Sequence, residues 1–384
     1  MRTLFLDHTA ALGGAELYLL DLARHRPDTC EVLLFEEGPL VGRLREAGVS
    51  VSVLPAPRAV MDVRREAGVL SALRALPGLI RLVAGIARRA RHADVVVANS
   101  QKAMLAGGLA SGLARRPFVW ILHDLLTAEH FPALNQRLAV AAANAFAHRV
   151  IVNSKAVRDA FRRAGGTVEA VDVVYNGISP VDFDAVCPNA VAALRASLAL
   201  GDGPVLGVFS RLAPWKGQHV LLEALPALPP STQVLFVGDA LFDGDRAYAQ
   251  SLREEVRRAG LEDRVHFLGF RADVPALMRL CDVVLHTSVA AEPFGRVIVE
   301  GMLAGRPVVA SRAGGATEII QDGRTGRLVP PNRPDLLAET IATLLADPQT
   351  RARLASAGST HARRSFSLDA MVRGVNRSLR STRP

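Results

Sequence analysis

Short runs that are apolar on both faces recur along this chain, and they constrain its fold more than any other feature. Runs rich in Val, Leu and Ile alternate with longer segments of helical spacing. Strands buried on both faces, with helices between them, are typical of parallel sheets built from βαβ units. The chain is therefore predicted to be an α/β protein. The predicted strands are 3–6, 31–35, 49–53, 94–98, 118–122, 149–152, 171–175, 205–209, 233–237, 264–268, 282–286 and 307–310.

The best break between two sets of strands lies after the turn signal Asn176-Gly177 and before the run at Val205, in a stretch rich in Pro and Gly. We expect two Rossmann-like domains that face each other across a cleft and bind ligands at the carboxyl ends of their strands. The predicted parts are a first domain 1–180, a linker 181–203, a second domain 204–365 and a C-terminal helix within 366–384 that can cross back to the first domain.

Composition narrows the classes of partner. Hydrophobic residues make up 49% of the 384 residues, enough for two buried cores. The net charge of +9 suits nucleic acid, anionic lipid or small anions. Aromatic residues are only 5%, which disfavours a stacking surface for single strands, and no nucleic-acid partner is predicted.

The sequence also indicates a compartment. Asp7 and His8 interrupt the first apolar run, so no signal peptide is expected, and no apolar stretch reaches the ~18–20 residues of a membrane span. Cys30, Cys187 and Cys281 are far apart and suggest neither a disulfide framework nor a zinc site. A cytoplasmic protein is predicted.

The strongest functional pattern is the segment 292–300, EPFGRVIVE, which follows a predicted strand and opens a helix. Backbone N–H groups at that helix start attract phosphate, and Gly295 lets a ligand approach the backbone closely. Glu300 can accept hydrogen bonds from two ribose hydroxyls, and Glu292 can bind a sugar hydroxyl. Isolated glutamates at such places are usually just solvated, but the whole spacing favours a function. The candidate ligand-binding residues are Glu292, Pro293, Phe294, Gly295 and Glu300.

A second pattern is SRLAPWKG at 210–217, directly after the first strand of the second domain. Arg211 and Lys216 on this loop can neutralise a diphosphate and the charge of a leaving group. The alternative is a pair of ordinary surface cations. The position at the carboxyl end of a strand favours the functional interpretation.

Two weaker candidates lie in the first domain. Gly13 and Gly14 follow the first strand, where backbone amides can meet a phosphate, although a lone Gly-Gly is often only a tight turn. His123 ends a buried strand and can orient a sugar or handle a proton. The competing interpretation is a buried histidine bonded to a neighbour such as Asp124.

The segments DFD at 182–184 and DGD at 243–245 are similar to an Asp-x-Asp metal motif. Both fall in predicted loops away from the expected nucleotide pocket. No metal site is predicted.

Taken together, these residues resemble glycosyltransferase family 4, which has the GT-B fold. The most specific part is the Glu-x7-Glu element combined with the Arg-x4-Lys loop. Further motifs in matching order are GGAE at 13–16, HD at 123–124, VNS at 152–154, YNGI at 175–178, VGD at 237–239, FLGF at 267–270 and 311–318. Arg296 stands where Leu or Ile is common in relatives, and Arg312 where a small residue is common.

The resemblance implies a retaining, metal-independent transferase that needs no cofactor and moves a sugar from a UDP- or GDP-linked donor to a hydroxyl acceptor. It also implies roles for the candidate residues. The residues implied to be catalytic are His123, Arg211, Lys216 and Glu292. The residues implied to bind the donor are Gly13, Gly14, Arg211, Lys216, Phe270, Arg271, Glu292, Pro293, Phe294, Gly295 and Glu300.

Residues 69–91 predict a basic amphipathic helix. Its apolar face is Leu73, Leu76, Ile80, Val83 and Ala87, opposite Arg74, Arg81 and Arg88. Such a helix can rest on anionic lipid at the inner face of a membrane. Alternatively, it packs its apolar face on the sheet, and the same face cannot do both.

Three rival functions stay open. A nucleotide-sugar epimerase or phosphorylase would share the two-domain layout. A non-catalytic sugar-nucleotide-binding protein is disfavoured because Arg211, Lys216, Glu292 and Glu300 are all present. A nucleic-acid binder rests on charge alone.

Overall fold

The computed structural model describes residues 1–56, 69–129, 131–240 and 243–382. It divides into two compact units, the first Met1–Gly177 with Leu368–Pro384, and the second Ile178–Ser367. Each is an α/β layered structure around a parallel sheet, as the alternating pattern of the sequence predicts.

The sheet of the first unit has seven strands within the described residues, all parallel, in the order β3-β2-β1-β4-β5-β6-β7. β1 lies at the centre, where Thr3 pairs with Cys30 on one side and Val95 on the other. The strands are β1 Thr3–Asp7, β2 Cys30–Leu34, β3 Ser50–Val53, β4 Val95–Ala98, β5 Phe118–Leu122, β6 Arg149–Val152 and β7 Val171–Val173.

Helices cover both faces of this sheet. α1 packs on α2 and α16, and their apolar side chains share a core with Phe5, Val97 and Ile121 of the strands. α3 packs on α4 and α4 on α5, and Gly107 of α4 lies against Leu6 and Phe118, whose side chains point to the other face. The helices are α1 Gly14–Ala23, α2 Pro39–Glu46, α3 Val69–Ala90, α4 Gln101–Ala114, α5 Ala133–Phe146, α6 Lys155–Arg163 and α16 Leu368–Arg380.

The sheet of the second unit has six described parallel strands in the order β10-β9-β8-β11-β12-β13. They are β8 Val205–Phe209, β9 Gln233–Val237, β10 Val265–Gly269, β11 Val283–His286, β12 Val308–Ser311 and β13 Arg327–Val329. The helices are α7 Val181–Asp184, α8 Pro188–Ser197, α9 Gln218–Ala224, α10 Asp243–Arg258, α11 Val274–Leu280, α12 Arg296–Leu303, α13 Ala316–Ile319, α14 Pro334–Ala346 and α15 Pro348–Ser365.

The linker prediction for residues 181–203 is wrong. This segment forms α7 and α8 and belongs to the second unit, where α8 packs on α11 and Arg279 donates a 3.0 Å hydrogen bond to the carbonyl of Val186. Its one proline, Pro188, does not break the structure, since it stands in the first turn of α8. By contrast, the final helix α16 packs in the first unit, with Met371 and Val375 in its core.

The predicted basic helix at 69–91 is α3, and its apolar face is divided between two environments. Val83 and Ala87 are buried in the interior of the first unit, whereas Leu76 is 47% and Ile80 59% exposed. The side chains of Leu73 and Arg74 lie outside the described part. Among the described residues, no helix has the length and apolar character needed to cross a bilayer.

Candidate functional site

In each unit the candidate residues follow strands at the point where the strand order reverses. In the second unit, β8 connects to β9 on one side while β11 lies on its other side. Open parallel sheets bind ligands at this switch point, beyond the carboxyl ends of the strands. Arg211 and Lys216 follow β8, and Glu292 follows β11, so the structure brings the two strongest motifs to one place.

The loop after β8 is fastened to the loop after β11. Gly217 has φ +69°, and a Cβ there would lie 2.1 Å from the carbonyl oxygen of Thr287. The Thr287 hydroxyl donates a 2.9 Å hydrogen bond to the Lys216 carbonyl. Only glycine fits this contact, which explains why the motif ends in Lys-Gly.

Lys216 forms an ion pair with Glu292, and both side chains are mostly buried. Oε1 of Glu292 also accepts a 2.7 Å hydrogen bond from Ser288 and lies 3.0 Å from Nε2 of His286. Burial by itself would raise the pKa of Glu292. The charge of Lys216 and the contact with His286 outweigh it and hold that pKa well below its usual range. Glu292 is therefore a fixed negative charge.

Sequence reasoning missed His286 and Ser288. The sequence predicts His286 only as the last residue of a strand and indicates no role for Ser288. A polar pair at the end of an otherwise apolar strand, six and four residues before the glutamate, is the signal that could have found them.

Arg211 extends from the same loop towards α10. Its Nε lies 3.3 Å from Oδ2 of Asp245, and its guanidinium carbon is 5.9 Å from the Trp215 ring centre. The side-chain amide of Gln218 donates 2.9 Å hydrogen bonds to the Ser210 hydroxyl and to the Arg211 carbonyl. These contacts hold a second cation beside Lys216.

The start of α12 has the geometry predicted for the segment 292–300. Gly295 has φ +100° and precedes the helix. The neighbouring backbone is tightly packed, because a Cβ on Gly314 would lie 2.2 Å from the Glu292 carbonyl oxygen. The Phe294 side chain is buried and meets Phe366 edge-on at 5.7 Å, so it anchors the loop after Pro293 while the backbone remains the part suited to a ligand.

Glu300 lies in the second turn of α12 and faces Arg296. Nε of Arg296 is 3.6 Å from Oε1 of Glu300. The arginine that distinguishes this chain from many relatives therefore lies against the carboxylate proposed to meet a ribose.

The segment after β10 is the most exposed part of the predicted set. The Phe270 side chain is 76% exposed. Arg271 forms a two-pronged pair with Asp273 at 2.8 and 2.6 Å. The backbone before them is fixed, since the Gly238 amide donates a 2.8 Å hydrogen bond to the Gly269 carbonyl.

In the first unit, three hydrogen-bonded polar residues lie at the carboxyl ends of three neighbouring strands. Asp7 closes β1, Asn99 follows β4 and His123 follows β5. The Asn99 amide donates to Oδ2 of Asp7 at 2.6 Å and to the Ala15 carbonyl at 3.0 Å. Its Oδ1 then faces Nε2 of His123 at 2.8 Å, so that nitrogen carries the proton. Asn99 is thus a hydrogen-bond partner of His123, and its contact with Asp7 fixes the orientation of its amide.

Two carboxyl groups near Asp7, Asn99 and His123 have pKa values raised above their usual range. Burial, and secondarily the charge of Asp7, raise the pKa of Glu16 to about 7. Burial raises the pKa of Asp124 to about 6, with His8 opposing the shift. Glu16 lies in the first turn of α1, and a Cβ on Gly13 would be 2.5 Å from its Oε2. The Glu16 carboxyl group therefore lies directly over Gly13, and Gly14 begins the helix.

One carboxylate of each Asp-x-Asp segment is paired with an arginine. The prediction that both segments lie in loops away from the pocket is wrong, because they lie in α7 and α10 and the second one reaches Arg211. Asp184 accepts two hydrogen bonds from Arg363, at 3.0 and 2.5 Å. Asp245 pairs with Arg211. Within the described ranges, no group of three or more His, Cys, Asp or Glu side chains could hold a metal ion.

Two family models match most of the chain. One described as "Glycosyl transferases group 1" matches residues 192–361, and one described as "Glycosyl transferase 4-like domain" matches residues 13–177. These ranges fall in the second and first units, respectively.

Curated relatives and solved structures agree with these models. A D-inositol 3-phosphate glycosyltransferase of Salinispora arenicola is 30% identical over 398 residues, covering 96% of this chain and 87% of the relative. A GDP-mannose-dependent phosphatidylinositol monomannoside mannosyltransferase of Mycolicibacterium smegmatis is 34% identical, but the match spans 53% of this chain and about half, 55%, of that protein. The crystal structure of Anabaena Alr3699/HepE with UDP and glucose is 43% identical, with a TM-score of 0.90 over 99% of this chain and all of that one.

Proposed function

Because the chain belongs to the glycosyl transferases of group 1, with a glycosyl transferase 4-like domain in its first half, we propose that it moves a sugar from a nucleotide-diphosphate donor to a hydroxyl acceptor. The observation that carries the proposal is the cluster at the switch point of the second unit. There, Lys216 pairs with the buried carboxylate of Glu292, which lies just before the start of α12, and Arg211 extends from the same loop as Lys216 and pairs with Asp245. A helix start at the carboxyl ends of parallel strands is suited to phosphate.

The cluster supplies the charges that such a reaction needs. Arg211 and Lys216 would hold the diphosphate and stabilise the charge that develops on it as the sugar leaves. Amides around Phe294 and Gly295 would bind phosphate oxygens, Glu300 the ribose and Glu292 a sugar hydroxyl. The backbone at Phe270 and Arg271 would flank the nucleobase. In the first unit, Gly13 and Gly14 would approach the diphosphate and His123 the sugar.

We favour a UDP-linked donor. Two Anabaena structures, one with UDP and glucose and one with UDP-glucose, match 99% of this chain at 42–43% identity, whereas the GDP-mannose-dependent relative matches about half. A GDP-linked donor is the alternative. Retention of configuration is proposed from the family resemblance, with the leaving phosphate accepting the proton of the acceptor.

We propose that the reaction needs neither metal nor cofactor, because two side-chain cations and a helix start already face the phosphate position. A cytoplasmic location is supported by three free cysteines, of which Cys187 is exposed. The acceptor would be a hydroxyl group, in envelope polysaccharide, glycolipid or metabolite glycosylation.

Thermal unfolding with UDP, GDP, ADP and their common sugar conjugates tests the donor site. A ligand that binds only the folded state at about 100 times its Kd stabilises by about 2.7 kcal/mol, which raises the melting temperature by several degrees. We expect the largest shift with UDP-sugars, lost in Glu300→Ala. Glu339→Ala, which removes an exposed helical glutamate of the same unit, is the matched control.

Product analysis separates the rival activities. A transferase releases UDP and glycosylates an added alcohol, whereas an epimerase interconverts the donor sugar without releasing UDP, and a phosphorylase needs inorganic phosphate. Donor binding without any product would favour the non-catalytic binding protein. A wild-type chain whose melting temperature responds to none of the nucleotides would overturn the donor-site assignment itself.

A further inference from the structure

Large apolar side chains on the surface are concentrated on three helices of the first unit. Seven of the ten exposed large hydrophobic residues found in the described part belong to α3, α4 or α5. We call these seven residues the leucine surface. They are Leu76 (47% exposed), Ile80 (59%), Leu105 (46%), Leu109 (36%), Leu113 (66%), Leu134 (65%) and Leu138 (60%).

The pattern on α4 is that of a second apolar face. Leu105, Leu109 and Leu113 are four residues apart and form one stripe along the helix. Met104 and Ala110, on the inner side, are fully buried. A surface helix normally presents polar side chains outward, so an outward leucine stripe requires an explanation.

The three helices present these residues side by side. α3 packs on α4, and α4 packs on α5. Each helix ends three to five residues before the next strand, so their carboxyl ends lie at a similar level. Ile80, Leu105 and Leu138 stand ten, nine and eight residues before those ends, about 12–15 Å along the axes. They therefore form one row across the layer.

The charge carried by these three helices has a single sign. The sequences of α3, α4 and α5 contain no Asp or Glu, although the chain has 37 of them. Their basic residues include Arg81, Arg88 and Arg137, all exposed. The acidic residues that follow these helices in the sequence, beginning with Asp94, Asp124 and Asp159, lie outside them.

The opposite layer of the same sheet differs. There, α1 carries Glu16 and Asp21, α16 carries Asp369, and Leu17, at 37%, is the one large exposed hydrophobic residue among the described side chains. The leucine surface is therefore a property of one layer and not of the composition of the chain.

We propose that the leucine surface, with its surrounding arginines, docks the protein on the interface of an anionic lipid bilayer. Apolar side chains enter the acyl boundary, and basic side chains meet anionic headgroups, at about 1 kcal/mol for each cation. A second copy of the chain is a poorer occupant, because two-fold pairing of this surface would place Arg81, Arg88 and Arg137 against the same arginines without a compensating carboxylate. The docking surface extends the predicted basic helix to two further helices and does not depend on the transfer reaction.

Co-flotation of the full chain with vesicles tests the proposal without donor or acceptor. We expect binding to vesicles with 30% phosphatidylglycerol, and weak binding to pure phosphatidylcholine. The variant Leu105→Gln/Leu109→Gln/Leu113→Gln keeps a good helix former at each position and should weaken binding at least tenfold. Arg81→Gln/Arg88→Gln/Arg137→Gln should also weaken it, by about fivefold for each arginine, and remove most of its salt dependence.

The control is Val181→Gln, which changes an exposed apolar residue of the second unit, 66% exposed, and should bind vesicles as the wild type does. Melting temperature and UDP-sugar binding of every variant should match the wild type, so a failure of the donor site would be seen separately. The proposal would be overturned if the wild-type protein did not bind anionic vesicles, or if the leucine variant bound them as strongly as the wild type. A wild-type dimer in sedimentation that the leucine variant converts to monomer would assign the surface to a second copy instead.

Discussion

The two units place polar clusters at equivalent points of similar sheets, but the clusters handle protons in opposite ways. In the second unit, the neighbouring charges of Lys216 and His286 outweigh burial and hold the pKa of Glu292 well below its usual range. In the first unit, burial raises the pKa of Glu16 to about 7. The difference comes from the partner: a cation beside one carboxyl group, and the carboxylate Asp7 near the other.

This contrast suggests a division of labour between the clusters. A pocket for a diphosphate benefits from charges that do not change with pH, and the Lys216–Glu292 pair provides them. The cluster proposed to approach the sugar instead holds its imidazole through hydrogen bonds, from Asp7 through Asn99 to His123. The following experiments test whether the two clusters behave differently.

The largest effect is expected from Lys216→Ala. It removes a cation proposed to bind phosphate and leaves Glu292 buried without its ion pair, so kcat/KM should fall by about 10²–10³-fold. The activity that remains should rise with pH, because the pKa of Glu292 loses the charge that lowers it. Steady-state kinetics between pH 5 and pH 9 measure both. Arg258→Ala, an exposed cation of α10, is the control. If Lys216→Ala turned over as fast as the wild type, the Lys216–Glu292 pair would not be part of the donor site.

Glu16→Gln is expected to have the next largest effect, on stability. A carboxyl group whose pKa is raised on folding, here from 4.5 to about 7, stabilises the folded state below pH 4.5, and that stability is lost as the pH rises through 7. The variant has no such group. It should match the wild type near pH 4.5 and exceed its unfolding free energy by about 3 kcal/mol above pH 8.

Urea unfolding at the two pH values measures this difference, with Glu37→Gln, an exposed glutamate of the same unit, as the control. If the unfolding free energies of the wild type and Glu16→Gln change in parallel with pH, Glu16 is ionised as Glu292 is. The contrast between the two clusters would then disappear.

A smaller effect is expected from Asn99→Ala. Asn99 fixes the proton of His123 on Nε2, so the variant loses the orientation of the imidazole but keeps the donor cluster of the second unit. We expect kcat to fall about tenfold, with KM for the donor nearly unchanged and the pH profile of kcat shifted. Asn135→Ala, on the surface of α5, is the control. A rise in KM with constant kcat, or an unshifted profile, would make Asn99 merely structural.

The strands were predictable because burial on both faces leaves a continuous apolar run that sequence reveals directly. The missed strand, β13, has only three residues between Gly326 and Pro330, too few for any pattern. The segment 181–203 shows the converse. The prolines in and beside it, Pro180, Pro188 and Pro204, suggest a linker, although Pro188 stands where helices accept proline.

The donor loops were predictable from spacing alone, because the motifs at 210–217 and 292–300 are each continuous in sequence. The chain from Asp7 through Asn99 to His123 was not, since its members are 92 and 24 residues apart and meet only when β1, β4 and β5 are neighbours. The leucine stripe of α4 was missed for another reason: Leu105 and Leu109 look like core residues until burial on the inner side is known.

The smallest effect is expected from metal removal. Activity in excess EDTA should stay within about twofold of the untreated enzyme, because Arg211 and Lys216 already supply positive charge at the switch point. Asp184 and Asp245, one carboxylate from each Asp-x-Asp segment, are paired with Arg363 and Arg211. Turnover is measured before and after chelation, with Mg²⁺ and Mn²⁺ added back. Loss of activity that a divalent ion restores would mean that the side-chain cations do not suffice, and the fixed-charge cluster would then be only part of the phosphate site.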